Sequence, residues 1–375
     1  MPEERRILLL AGEASGDQAT APLIREILRQ HPRWKLDAIG GPAMKEAGAQ
    51  ILYSSEELAV MGFQEVLLRA PRLLSLRRKM AERIRSGTYD LFLPVDAPAF
   101  NLPLCRIARQ SGVPALYFIA PQVWAWKENR LKSMKRDLSA LAVILPFEED
   151  WFRERGMEAR FVGHPLASHW NPGPRDREPV GQALRIALLP GSRKQEIRRH
   201  LPLFLKAAEN LSQRREDCSF HLLEASSLSP LLYETALKSS TLTVHRHRTG
   251  SREFLQDMDA AWVSSGTATL ETALAGLPMV VVYRTGALSY FLASRLVKLD
   301  SISLVNLLAE EKLVPERVQG DASPENLLAD MESLLDLPDA ASRQREGFRL
   351  IAEGLGGRDP AQEVASMVLR LLEES

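Results

Sequence analysis

Short apolar runs alternate with longer amphipathic stretches along the whole chain, the pattern of parallel sheets whose crossovers are helices. The runs predict strands at 6–11, 35–39, 90–95, 115–119, 140–145 and 159–162 in the first half, and at 185–190, 219–223, 242–245, 260–264 and 279–283 in the second. The pattern also starts over. Ile7-Leu8-Leu9-Leu10-Ala11, running straight into Gly12-Glu13-Ala14-Ser15-Gly16-Asp17, recurs as Ile186-Ala187-Leu188-Leu189-Pro190 running into Gly191-Ser192-Arg193. Between the copies, Asn171 to Gln182 is rich in Pro, Gly and charge and reads as an interdomain linker. The expectation is an α/β protein of two Rossmann-like, doubly wound domains, 1–170 and 183–340, facing a cleft. Residues from about 341 to 375 read as helices that pack back to complete the first domain.

Composition narrows the function more than the fold. At 375 residues the chain exceeds the size at which one core stops growing, which independently favours two domains. Lys plus Arg and Asp plus Glu balance at 48 each, and aromatics are 6%, so nothing global points to nucleic acid. Any charged partner must be met locally. Cys105 and Cys218 lie far apart and neither belongs to a C-x-x-C, so neither a disulfide framework nor a structural zinc site is indicated, which suits a reducing cytosol. The apolar run that follows Met1-Pro2-Glu3-Glu4-Arg5-Arg6 is too short for a secretion signal or a membrane span.

Ligands of doubly wound sheets bind at the loops that follow the strands, so the candidate chemistry lies in those loops. Gly12 to Asp17 lacks both a G-x-G-x-x-G fingerprint and a Walker lysine; Glu13, Ser15 and Asp17 are loop candidates, with helix capping by Asp17 the plainer role. In the second half Arg193, just after a strand, can clamp a diphosphate, with a surface arginine as the alternative. Ser264-Ser265-Gly266-Thr267-Ala268-Thr269-Leu270-Glu271 is a small-residue turn leading into a helix, which suits a phosphate resting on backbone N–H groups, and Glu271 can accept from ribose hydroxyls. Asp96, in Pro94-Val95-Asp96-Ala97-Pro98, is displayed beyond an apolar strand where a general base would sit; a turn aspartate is the rival reading. Asp257-Met258-Asp259 spells D-x-D but precedes its strand, so it reads as structural and no metal is expected. His164 reads as a hinge or a satisfied loop histidine.

Two segments suggest lipid. Residues 62–79 mix apolar clusters (Val66, Leu67, Leu68, Leu73, Leu74, Leu76) with basic residues, an interfacial composition whose rival is a buried core helix. Val123-Trp124-Ala125-Trp126 is followed by Lys127, Arg130, Lys132, Lys135 and Arg136. Trp126 with this basic run would suit a lipid head group, or else be core with a solvated face.

These residues resemble the lipid-A-disaccharide synthase family, GT-B-type inverting glycosyltransferases of Gram-negative bacteria. The resemblance runs over nearly the whole chain, through Ala11-Gly12-Glu13-Ala14-Ser15-Gly16-Asp17, Glu57-Leu58-Ala59-Val60-Met61-Gly62, Asp96-Ala97-Pro98, Val123-Trp124-Ala125-Trp126, Leu188-Leu189-Pro190-Gly191-Ser192-Arg193, Ser265-Gly266-Thr267-Ala268 with Glu271, and Ser303-Leu304-Val305-Asn306-Leu307-Leu308. It implies transfer of 2,3-diacylglucosamine from its UDP carrier to the 6-hydroxyl of 2,3-diacylglucosamine 1-phosphate, with no cofactor. It implies Asp96 as the catalytic carboxylate and UDP contacts at Ser192, Arg193, Ser265, Gly266, Thr267, Glu271 and Asn306. It further implies a cytoplasmic enzyme bound peripherally to the inner membrane, with a homodimer as a possible assembly. The family's segment often carries a second acid after the proline; here that position is Ala99, which leaves Asp96 to act alone. A UDP-N-acetylglucosamine 2-epimerase and a non-catalytic nucleotide-sugar-binding protein are the competing readings.

Overall fold

The computed structural model describes residues 4–58, 63–168, 183–286, 290 and 301–373, excepting the side chains of 63–69 and of Pro338. The chain divides into two compact units, residues 1–169 with 355–375, and residues 170–354. The predicted linker, 171–182, lies outside the described residues.

The first unit is a seven-stranded parallel sheet in the order β3-β2-β1-β4-β5-β6-β7. Its strands are β1 (Arg6–Ala11), β2 (Lys35–Gly40), β3 (Gln50–Ser54), β4 (Leu91–Val95), β5 (Leu116–Phe118), β6 (Ala140–Val143) and β7 (Arg160–Phe161). Ile7 to Ala11 read as one apolar run because both faces of the sheet are covered. Ile7, Leu9 and Ala11 pack on one side with the helices Ala14–Gln30 and Pro360–Glu373, while Leu8 and Leu10 pack on the other with Phe63–Arg85 and Pro98–Gln110. Pro94 stands opposite Leu10 in central strand β4. It brings no N–H, and the pairing of β4 with β5 is correspondingly sparse.

The second unit is a six-stranded parallel sheet in the order β10-β9-β8-β11-β12-β13. It comprises β8 (Leu184–Leu189), β9 (Cys218–Leu223), β10 (Val244–His247), β11 (Ala260–Ser264), β12 (Met279–Tyr283) and β13 (Glu316–Val318). Trp262 of β11 is fully buried, stacks on Phe204 and donates its indole N–H to the Leu327 carbonyl at 3.2 Å.

Three expectations are corrected. Strands β3 and β13 were not anticipated, because neither is an apolar run: β3 is a half-exposed edge, and β13 is three residues beginning Glu316-Arg317. The strand expected at 242–245 lies at Val244–His247. The C-terminal helices do not act together. Pro338–Leu355 belongs to the second unit, where Gln344 accepts from the Met279 N–H at 2.8 Å and donates to its carbonyl, and Gly347 lies against Leu313. Only Pro360–Glu373 completes the first unit, through Ala361, Val364, Ala365 and Val368.

Candidate active site

Strand order reverses between β1 and β4 in the first unit, and the residues at that switch point converge on Asp96. Its carboxylate accepts the Gly12 N–H at 2.8 Å through Oδ1, at the start of the helix Ala14–Gln30. The other oxygen, Oδ2, is buried without a hydrogen-bond partner. Two glycines make the space: a Cβ on Gly16 would overlap Asp96 Oδ2, and one on Gly12 would overlap the Ala97 Cβ. Burial drives the carboxyl up from its usual 3.8 to about 7, against the lowering effect of the Gly12 and Glu13 backbone N–H groups. The negative charge of Glu13 pushes the same way as burial.

The backbone at this point is held away from its preferred conformations. Asp96 and Ala97 have φ of 49° and 41°, left-handed values that cost of the order of 1–3 kcal/mol each in residues with a Cβ. The strain is held by Asn101, fully buried, whose amide donates to the carbonyls of Leu10, Val95 and Asp96 at 3.3, 3.1 and 3.0 Å. The Tyr117 hydroxyl also donates to the Asp96 carbonyl. Burial raises that hydroxyl far above its usual value, which keeps it a donor at any working pH.

The loop after β5 borders this site. Ile119 and Lys127 are both left-handed, with φ of 62° and 61°. Between them, the Trp124 indole donates to Glu148 at 2.9 Å, and Glu148, buried at 1% exposure, also accepts the Leu145 N–H. Burial lifts the Glu148 carboxyl to about 7. Trp126 is exposed, with the Lys127 ammonium 4.4 Å and the Arg130 guanidinium 5.7 Å from its ring centre.

In the second unit the switch point lies between β8 and β11. Gly191 turns the chain after β8 with a φ of 114°, and a Cβ there would strike Glu196. Ser192 and Arg193 follow on the exposed start of the helix Lys194–Ser212, where Glu196 accepts the Ser192 N–H at 3.1 Å and pairs with Arg193 at 3.2 Å. Across the switch, Gly266 opens the helix Thr267–Leu274 with a φ of 145° and nothing near the position a side chain would take. The Ser265 hydroxyl donates to the Ile302 carbonyl at 2.9 Å, and burial raises the Glu271 carboxyl. His200, fully buried, joins the ends of two strands: the Arg284 N–H donates to its Nε2 at 2.9 Å, so Nδ1 carries the hydrogen and donates to the Pro190 carbonyl at 2.9 Å. Burial lowers its pKa and keeps the ring neutral.

Several residues singled out from the sequence have other work. Asp17 is buried and accepts N–H groups from Gly41, Ala43 and Met44 at 2.7–3.1 Å, so it caps the short helix Pro42–Glu46 rather than its own helix or a ligand. Asn306 has its amide committed to both backbone groups of Val314 and to Glu316, which makes it a loop brace. Asp259 accepts the Arg185 N–H at 2.8 Å. His164 is buried, which lowers its pKa to about 4, and its Nδ1 accepts the Leu166 N–H. In the basic segment Leu76 is core, at 4% exposure beside Met80 and Ile84, whereas Leu74 is 53% exposed and Leu73 half-buried. The side chains of Val66, Leu67 and Leu68 lie outside those described. Glu13 and Ser15 are exposed at the mouth of the Asp96 site. Asn101, Glu148 and His200 were missed. Asn101 stands between Phe100 and Leu102, and that mismatch was the available signal; Glu148 is followed by Glu149 and Asp150, and His200 is preceded by Arg198 and Arg199, so nothing local sets them apart.

The family described as lipid-A-disaccharide synthetase matches residues 7–362. The lipid-A-disaccharide synthase of Geobacter sulfurreducens is 39% identical over 373 residues, 98% of this chain and 97% of its own. That of Syntrophus aciditrophicus is 37% identical over 376 residues, 98% of each. Among solved structures, a calicheamicin glycosyltransferase superposes with a TM-score of 0.63 at 17% identity, covering 99% of both chains. A UDP-GlcNAc 2-epimerase from Neisseria meningitidis, bound to UDP-GlcNAc, gives 0.61 at 11% identity over 97% of this chain and all of that one. At such identities the structural likeness speaks to the fold alone, the α/β plan of two parallel sheets common to GT-B glycosyltransferases and these epimerases.

Proposed function

The chain belongs to the lipid-A-disaccharide synthase family, and on that premise we propose how its residues carry the reaction. It is a glycosyltransferase of lipid A biosynthesis, transferring 2,3-diacylglucosamine from UDP-2,3-diacylglucosamine to 2,3-diacylglucosamine 1-phosphate and releasing UDP. Membership does not favour the epimerase or the non-catalytic reading. The donor sugar is α-linked to UDP, so one direct displacement by the acceptor 6-hydroxyl gives the β-1,6 linkage through an oxocarbenium-like transition state. Inversion needs one base and a stabilised leaving group.

Asp96 is that base. The observation that carries this is its buried, unpartnered Oδ2 on a carboxyl tuned to about 7, at the β1/β4 switch point. The oxygen accepts the hydroxyl proton as the new C–O bond forms, while Oδ1 stays oriented by the Gly12 N–H. In the second unit Ser192, Arg193 and the 265–267 helix start hold the diphosphate, the guanidinium and backbone N–H groups stabilising charge as the bond to the sugar breaks. Glu271 receives ribose hydroxyls. Asn306 supports this reading only as a brace for the loop from Ile302 to Glu316. Glu13 and Ser15 line the acceptor side. Exposed Leu74 and half-buried Leu73, on a helix that also carries Arg72, Arg77, Arg78 and Lys79, form a contact with the membrane that supplies both acylated substrates. The cytoplasmic face of the inner membrane is where that contact belongs.

Asp96→Asn should lower kcat by about 10²–10⁴-fold while UDP affinity, measured by calorimetry, stays within about twofold of the parent. Full turnover in that variant would remove Asp96 from the chemistry.

A further inference from the structure

The loop after β5 carries two cations with no acid to answer them. Lys127 and Arg130 both lie over the Trp126 ring, at 4.4 and 5.7 Å from its centre, and neither has a carboxylate within ion-pair distance among the described residues. The nearest acid in sequence, Glu128, is committed to Arg155 at 2.9 Å. An aromatic face holds cations by its quadrupole, but two like charges side by side repel each other unless an anion joins them. The repulsion registers at Lys127, whose ammonium is lowered first by burial and then by the charge of Arg130.

The loop is built to keep the pair in place. Lys127 sits in a left-handed conformation that a residue with a Cβ adopts only under constraint, and the constraint is visible three residues earlier, where Trp124 is pinned to buried Glu148. Val123 and Ala125 are buried and anchor the same turn from below. The cluster also lies beside the base. Strand β5 is the neighbour of β4, and the Arg130 charge is felt at the Tyr117 hydroxyl, which donates to the Asp96 carbonyl.

We propose that Lys127 and Arg130, held on Trp126, form a phosphomonoester subsite that grips the phosphate of the acceptor sugar and so presents its hydroxyl to Asp96. The proposal rests on the reading of Asp96 and its acceptor given above. A guanidinium offers a fork of N–H donors that matches two phosphate oxygens, and the ammonium supplies a point charge on the third. The acceptor carries a terminal phosphomonoester on C1, whereas the phosphate on C1 of the donor is esterified within the UDP diphosphate and offers no terminal phosphate there. A cation pair on the acceptor side therefore sets which diacylglucosamine attacks and which is transferred.

The test compares 2,3-diacylglucosamine 1-phosphate with 2,3-diacylglucosamine as acceptors for the parent, the double variant Lys127→Met/Arg130→Gln, and Arg130→Lys. The parent should prefer the phosphorylated acceptor, and in the double variant the kcat/KM ratio between the two should fall by about tenfold to a hundredfold, through KM rather than kcat. Arg130→Lys, which keeps the charge and loses the fork, should fall between. An unchanged ratio overturns the proposal, as does a variant whose only loss is binding to vesicles of anionic phospholipid, which would assign the cations to the bilayer. Calorimetric titration with glucosamine 1-phosphate separates this outcome from failure of the assigned reaction. Binding by the parent that the double variant loses supports the subsite even if no disaccharide forms, and absence of binding by the parent overturns it.

Discussion

Asp96 is at once strained, buried at its carboxyl and the residue proposed to do the chemistry of the first unit. Its folded pKa of about 7 lies above the usual 3.8, so between those values the folded protein holds a proton that the unfolded chain releases. Stability from this group is therefore complete below about pH 4 and is lost as pH rises through 7. Catalysis asks for the opposite form. Turnover should rise across the same interval, with a limb near pH 7 in the kcat/KM profile that disappears in no variant keeping the carboxylate in place. Asp96→Asn should melt higher than the parent at pH 8 and gain less at pH 5. Equal gains at both pH values would show that the carboxyl is not held near neutrality by burial.

At the scale of elements, the glycine turn after β1 exists to admit that carboxylate. Alanine is the better helix former by about 1 kcal/mol, yet Gly16→Ala places a methyl group on Asp96 Oδ2. The variant should lose about tenfold or more in kcat with UDP affinity unchanged, because the base moves and the nucleotide unit is untouched. A Gly16→Ala enzyme with parental kcat would mean that Oδ2 does not take the proton. The turns were legible in the sequence as strand ends carrying Gly12, Asp96, Gly191 and Gly266, since strands buried on both faces advertise themselves as apolar runs. Partners across the fold were not. Nothing local tells that Asp17 caps a helix 24 residues onward, or that His200 bridges Pro190 to Arg284. Strand β13 was invisible for a related reason: its Glu316 is polar because it anchors Ile302, Ser303 and Asn306, so it breaks the apolar pattern.

For the whole molecule, the basic helix Phe63–Arg85 separates two uses of leucine that the sequence alone merged. Leu74→Ser should weaken binding to anionic vesicles without changing the melting temperature, whereas Leu76→Ala, in the core, should cost about 2–5 kcal/mol of stability and leave vesicle binding by the folded protein unchanged. Vesicle binding unaffected in Leu74→Ser would remove this face from the membrane contact. No described helix is long and apolar enough to cross a bilayer. The closing helix Pro360–Glu373 has a further effect, on folding. It packs on Ala14–Gln30 and fills one side of the first sheet, although the whole second unit lies between the two in sequence. Ile24 and Ile27 are therefore covered only once a contact of very long sequence separation has formed, which makes closure of this flank a late and slow event in folding.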